Sequence, residues 1–293
     1  MKDALIVSLL SVVPKHSAAR GMGIFSRISL PRFLHRALVR WFVKKYKVDL
    51  SECQGTIDDF PNLARFFIRE LKPGVRPVDP EPTALVSPVD GRVHTFGVVQ
   101  GGRFQQSEDR QGTVANLLGA DLVAAQPSLD PARFEGGAYA VIYLSPQDYH
   151  RVHSPREGTL SSVRYLPGNL WPVFPVATRR VEHLFDRNER MVFELETDAG
   201  TIVLAMIGAF GVGRMASPHT DVISNTGGGP TDERPGAPIE RAGELGRFEM
   251  GSTVVLLAEP GRLEWALTPG QVTRLGRPIG TLKLQSQLTT KIS

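Results

Sequence analysis

The chain is predicted to be an α+β protein, with a helical, basic N-terminal segment over residues 1–70 and a predominantly β part over 71–293. Three observations point there. Positive charge concentrates in residues 1–47, where ten Lys/Arg face a single acid, Asp3, while the rest of the chain carries 24 basic and 29 acidic side chains. Apolar residues recur at helical spacing before residue 70 and in short runs between Gly/Pro turns after residue 84. A proline-rich stretch containing Pro77, Pro80 and Pro82 separates the two patterns. With 41% hydrophobic and 22% charged residues, the 293-residue chain can bury one large core or two modest ones, and wholesale disorder is excluded. Its one cysteine, Cys53, rules out an internal disulfide and reads as a buried apolar thiol.

The first apolar stretch, Ala4–Val13, is broken by Ser8 and Ser11 and ends at Pro14, well short of the roughly 20 residues a membrane span needs. A signal peptide is disfavoured by Asp3 and by the basic helix that follows. In Pro31–Lys47, Arg32, Arg36, Arg40 and Lys44 recur every four residues, and Leu34, Leu38, Trp41 and Phe42 gather on another side. That pattern describes a helix lying in a lipid interface; the alternative is a helix docking its apolar stripe on the domain. Membrane suits this detail better than nucleic acid, so no nucleic-acid partner is expected. Residues 58–68 suit a short helix with an acidic start, stopped by Lys72-Pro73-Gly74.

Strands are expected at 92–99, 138–144, 158–165, 190–196, 201–207 and 252–258. Ser87-Pro88-Val89-Asp90-Gly91 and Ser154-Pro155-Arg156-Glu157-Gly158 share the frame SP-x-[DE]-G before a strand. Pro and Gly suit a turn there, and the repeat points to a duplicated β-hairpin sandwich of the lipoyl-carrier type. The glycine-rich stretch 225–230 lacks the Gly-Lys-Ser/Thr of a phosphate-binding loop and reads as a flexible loop.

Three motifs carry candidate chemistry. Met250-Gly251-Ser252-Thr253 places a hydroxyl after a residue with no Cβ, at the mouth of the apolar run 254–258. A serine hydroxyl needs a base, and the base an orienting partner. Asp148-Tyr149-His150-Arg151-Val152-His153 supplies two histidines, and Asp90 supplies a carboxylate. Ser145–Asp148 has capping-box form with Pro146 at the first helical position, so one helical turn should end at His150 and a strand should begin at His153. An H-x-x-H pair also suggests a metal, but no local carboxylate or cysteine completes a ligand set, and none is expected.

As an ordered trio, with Phe185-Asp186-Arg187-Asn188-Glu189-Arg190 and Gly246-Arg247-Phe248-Glu249, these motifs resemble the pyruvoyl-dependent phosphatidylserine decarboxylases of the bacterial membrane-associated type. The resemblance runs from the basic N-terminal region to Gly261; the commoner Leu before Gly-Ser-Thr is Met250 here. It implies that Asp90, His153 and Ser252 act in self-cleavage of the Gly251–Ser252 bond, and that His150 handles substrate and protonation. It implies a β chain, 1–251, and an α chain, 252–293, paired as a heterodimer, with further dimerisation left open. The cofactor implied is a covalent pyruvoyl group made from Ser252. That group would form a Schiff base with phosphatidylserine of an anionic membrane, release CO2 and yield phosphatidylethanolamine. Peripheral attachment to the cytoplasmic face of the cell membrane is expected. Rival readings are a membrane-associated Ser/His/Asp hydrolase acting on an external ester or amide, and a non-enzymatic lipid-binding module.

Overall fold

A computed structural model describes residues 15–121, 129–210, 214–249 and 253–284. The stretch Ala4–Val13 and the residues Met250, Gly251 and Ser252 lie outside them. Helix α1 (Lys15–Arg27) leads into α2 (Arg32–Tyr46), one residue shorter at each end than the expected Pro31–Lys47. Pro31 is extended (φ −49°, ψ 140°) and Lys47 is left-handed (φ 56°), its N–H closing on the Val43 carbonyl. Inward, α2 buries His35, Val39 and Phe42; outward, it exposes Phe33, Leu34 and Trp41. The apolar group expected on one side is therefore divided, with Phe42 in the core and Leu34 and Trp41 in solvent.

The helix expected at 58–68 is split by Pro61. A 3₁₀ turn, Ile57–Asp59, precedes α3 (Leu63–Phe67), whose first turn is capped by Asn62 accepting from Arg65 N at 3.0 Å. Val39, Phe42, Val48, Phe66 and Phe67 form a small core of their own. Among the described residues, no helix is long and apolar enough to cross a membrane.

The rest is mostly β. In chain order come β1 (Ala84–Val86), β2 (Gly91–Val98), β3 (Arg103–Ser107), β4 (Arg110–Thr113), α4 (Val114–Leu118), β5 (Ala138–Tyr143), β6 (Arg151–His153) and β7 (Gly158–Leu166). Then follow α5 (Pro175–Arg180), α6 (Leu184–Arg187), β8 (Arg190–Thr197), β9 (Gly200–Ile207), β10 (Met215–Ala216), β11 (Thr231–Glu233) and β12 (Ala237–Ile239). The last are β13 (Glu244–Phe248), β14 (Thr253–Ala258), β15 (Leu263–Trp265), β16 (Val272–Thr273) and β17 (Pro278–Leu282). All six expected strands are present, within one or two residues at their described ends. A nine-stranded antiparallel sheet runs β11-β7-β8-β9-β14-β5-β2-β16, with β12 also on β7. Its centre is β14, between β9 and β5, so both faces are covered and the run reads as continuously apolar.

The repeated frame is a structural repeat. Ser87 Oγ donates to the Val89 carbonyl at 2.7 Å and Ser154 Oγ to the Arg156 carbonyl at 2.5 Å. The two turns then bond to each other reciprocally: Val86 N to Pro155 O at 3.1 Å, and His153 N to Pro88 O at 2.9 Å. Around them, β1 pairs with β17 as β6 pairs with β13, and β2 with β16 as β7 with β12. This local two-fold relation brings Asp90 and His153, 63 residues apart in sequence, to one place.

Candidate active site

The segment between β5 and β6 is a tight turn rather than the expected helical turn. Asp148 N donates to Ser145 O at 2.9 Å, and Asp148 Oδ2 accepts from Ser145 N at 2.7 Å, so half of the expected capping box forms, but the chain passes into β6 at Arg151 before a helix can follow. His150 lies just before β6, and His153 ends that strand instead of beginning it.

His150 is fully buried, with its ring edge-on to Phe67 at 5.1 Å. Neither ring nitrogen meets hydrogen-bond geometry with a partner among the described residues. Burial and the neighbouring Arg69 cation push its pKa down to about 3, against a weak opposing effect of the Asp148 carbonyl. The imidazole is therefore neutral at pH 7.

His153 is held from both sides. Its Nδ1 lies 2.7 Å from the Ala242 carbonyl, which fixes the proton on that nitrogen, and Nε2 lies 3.3 Å from the Tyr149 hydroxyl. The ring stacks on Tyr149 at 5.7 Å. Burial lowers its pKa, with the Ala242 carbonyl and the charges of Glu244 and Asp90 opposing. The result is a neutral ring whose Nε2 carries the lone pair a general base requires.

Asp90 is buried and chelated. Arg76 Nε lies 2.9 and 3.1 Å from its two carboxylate oxygens, and Leu275 N donates to Oδ1 at 2.9 Å. Arg76 also reaches Glu52 at 2.7 Å. Burial alone would lower the Arg76 pKa, but the hydrogen bonds and charges of Asp90 and Glu52 outweigh it and hold the guanidinium above its ordinary value. Asp90 and His153 thus share no side-chain hydrogen bond. They are linked through the Pro88 carbonyl, and the Asp90 charge favours the protonated form of His153.

Gly251 and Ser252 lie outside the described residues, but their flanks are anchored. On one side Phe248 N donates to the His150 carbonyl at 2.9 Å, and Glu249 N to Arg214 O at 2.9 Å. On the other, Thr253 opens β14 in register with Tyr143 and Ile207. Thr253 is buried, and its hydroxyl has no partner among the described residues. A cavity of about 80 Å³ adjoins it, lined by His94, Tyr143, Val173 and Phe185. Tyr143 and Val173 also line a neighbouring cavity of about 170 Å³ that reaches Phe42 and Tyr46 on the inner face of α2.

The Phe185–Arg190 motif builds the wall of this region. Asn188 Nδ2 donates to the Trp171 and Gly208 carbonyls, both at 2.8 Å, and Arg190 is satisfied by the Leu117, Asn188 and Asn116 carbonyls. Gly208 follows Ile207, the partner of Thr253, so the motif fixes the strand end beside the site. Tyr149 and Arg76 escaped the reading of the sequence. Tyr149 had a signal in its place four residues before His153; Arg76 had none. Among the described residues, no group of three His, Cys, Asp or Glu side chains is arranged to hold a metal.

Comparison with known proteins decides the assignment. A family model described as phosphatidylserine decarboxylase matches residues 63–281. The chain belongs to the phosphatidylserine decarboxylase family. Its relatives include phosphatidylserine decarboxylase proenzymes of Myxococcus xanthus, 43% identical over 96% of this chain and 100% of the relative, and of Anaeromyxobacter sp., 42% identical over 96% and 99%. A proenzyme of Shewanella frigidimarina is 36% identical over 97% of this chain and 100% of its own length. Family membership makes the chain a carboxy-lyase and disfavours both the hydrolase and the lipid-binding module.

Proposed function

We propose that the protein is a self-processing decarboxylase that divides at Gly251–Ser252 and converts phosphatidylserine to phosphatidylethanolamine and CO2. One observation carries the reading: the chain on both sides of that bond is anchored at the histidine turn and the central sheet, next to the place where the two SP frames cross. His153, neutral with Nε2 as acceptor, is the base for the Ser252 hydroxyl. Asp90 stabilises the imidazolium through its charge. His150, neutral and without a hydrogen-bond partner among the described residues, takes up a proton released by the substrate's ammonium group and returns it to carbon after CO2 departs.

The residues present fit a pyruvoyl group at position 252. The Thr253 hydroxyl and the ring nitrogens of His150 have no partner among the described residues; Thr253 directly follows that position, His150 lies in the turn that anchors Phe248 just before it, and a small cavity adjoins Thr253. When formed, that group supplies an electron sink for the pair that CO2 leaves behind. The cavity leading to α2, of mixed polar and apolar surface, suits the glycerol portion of the lipid, as the exposed Phe33, Leu34 and Trp41 suit insertion into a lipid interface. Residues 1–70 thus serve as a peripheral membrane segment on the cytoplasmic face, and 71–293 as the catalytic part. The two crossing frames support a lipoyl-carrier-like hairpin arrangement in the latter.

The test is a denaturing gel of purified protein. Wild type should run as a β chain of residues 1–251 and an α chain of residues 252–293, and Ser252→Ala as one folded chain. Efficient division of Ser252→Ala would sink the mechanism.

A further inference from the structure

The segment before the scissile bond is held by a side chain from the other end of the molecule. Arg27, the last residue of α1, donates through Nε at 2.9 Å and through Nη2 to the same carboxylate oxygen of Glu249. Both side chains remain partly exposed, with 28% and 16% of their surface open to solvent. Glu249 is two residues before Gly251, whose carbonyl carbon Ser252 must approach. Its own N–H is tied to Arg214 O, so backbone and side chain are anchored on different elements.

α1 in turn is fastened to the body. Asn62 Nδ2 donates to the Arg27 carbonyl at 3.1 Å, at the helix end where carbonyls lack intrahelical partners. One helical stretch earlier, Arg20 Nε donates to the Asn225 carbonyl at 3.2 Å, and Asn225 N donates to buried Glu189. α1 contains no acidic residue, so Glu249 is the carboxylate that Arg27 finds. We propose that α1 is a positioning element for self-cleavage, acting through the Arg27–Glu249 ion pair.

This rests on reading Gly251–Ser252 as the scissile bond. The physical reason is geometric: attack needs the reacting atoms about 3–3.5 Å apart and aligned, and an error of about 1 Å can cost orders of magnitude in rate. A partly exposed ion pair contributes little to folding. Its loss should therefore show in the cleavage rate and hardly at all in the thermal midpoint, which separates positioning from a merely structural role.

The experiment follows pulse-labelled full-length chains on denaturing gels. Arg27→Gln and Glu249→Gln should each divide roughly fivefold more slowly than wild type. The exchanged pair Arg27→Glu with Glu249→Arg should recover most of the rate. Thermal midpoints, measured in a Ser252→Ala background, should stay within about 2 °C of that parent. Single variants that keep pace with a dividing wild type overturn this inference alone, as does an exchanged pair no faster than either single. A wild-type chain that never divides overturns this inference and the assignment of the scissile bond together.

Discussion

Acid should unfold this protein partly through His150, and the size of the effect follows from its burial. In the folded chain the imidazole is fully buried and holds a proton only near pH 3, whereas an unfolded histidine does so near 6.5. A depressed pKa gives stability that is present above the unfolded value and is lost as pH falls toward the folded one. Between pH 8 and pH 5 the unfolded chain gains a proton at this position and the folded chain does not. At about 1.4 kcal/mol per pH unit below 6.5, the loss by pH 5 is about 2 kcal/mol. His150→Leu removes the titrating group while keeping an apolar contact for Phe67. In a Ser252→Ala background, so that one chain unfolds, urea denaturation should show the parent losing about 2 kcal/mol more than the variant between those pH values. The other histidines are common to both proteins and cancel in the difference. Parallel pH profiles would refute a neutral, buried His150.

Two further outcomes follow from the ion pairs. Arg76→Met leaves Asp90 and Glu52 without their shared cation, so urea midpoints should report a loss of about 3–5 kcal/mol, and division at Gly251–Ser252 should slow; an unchanged midpoint would show the cluster to be solvated. Replacing Arg32, Arg40 and Lys44 with Gln should weaken sedimentation with anionic vesicles by about 1 kcal/mol per residue at low salt, with the difference shrinking as salt rises. Arg36→Gln should matter less, because Arg36 is engaged by Asp58.

What could be read from the sequence divides along physical lines. Strands β5, β9 and β14 were legible because both of their faces are buried, leaving apolar runs that nothing else explains. The hairpin β3–β4 was not, since Arg103–Ser107 and Arg110–Thr113 are too polar to show a strand pattern. At the histidine turn the capping signal was real, since Asp148 accepts from Ser145 N as a capping box requires, but the chain enters β6 at Arg151 and only a turn forms. Asp90 and His153 were brought together only through the resemblance; the structural link, the crossing of the two SP frames, joins Pro88 O to His153 N and was not legible in the repeat. Arg76 was not legible either: a lone arginine between Val75 and Pro77 has no periodic neighbour, and its partners come from Glu52 and Asp90 through tertiary folding.

Division at the proposed Gly251–Ser252 bond would leave a short chain that is built into the core. Cutting between 251 and 252 severs β14 from β13, yet β14 is the middle of the large sheet, paired over its whole length with β5 and β9. Its residues 253–258 are all at most 2% exposed. Val254, Val255, Leu256 and Leu257 alone bury side chains worth about 1.5–3 kcal/mol each, an upper bound of roughly 6–12 kcal/mol. Downstream, β16 adds to β2 in the same sheet and β17 lies between β1 and β15, so the short chain contributes to two sheets at once. Loss of one peptide bond cannot offset that burial. The two chains of the processed protein should co-elute on size exclusion in native buffer and separate only in denaturant. Polar substitution at Leu256, which is buried at the strand's midpoint, should make the α chain dissociate or prevent folding before cleavage. A native α chain that elutes alone from the wild-type protein would show that β14 leaves the sheet on processing.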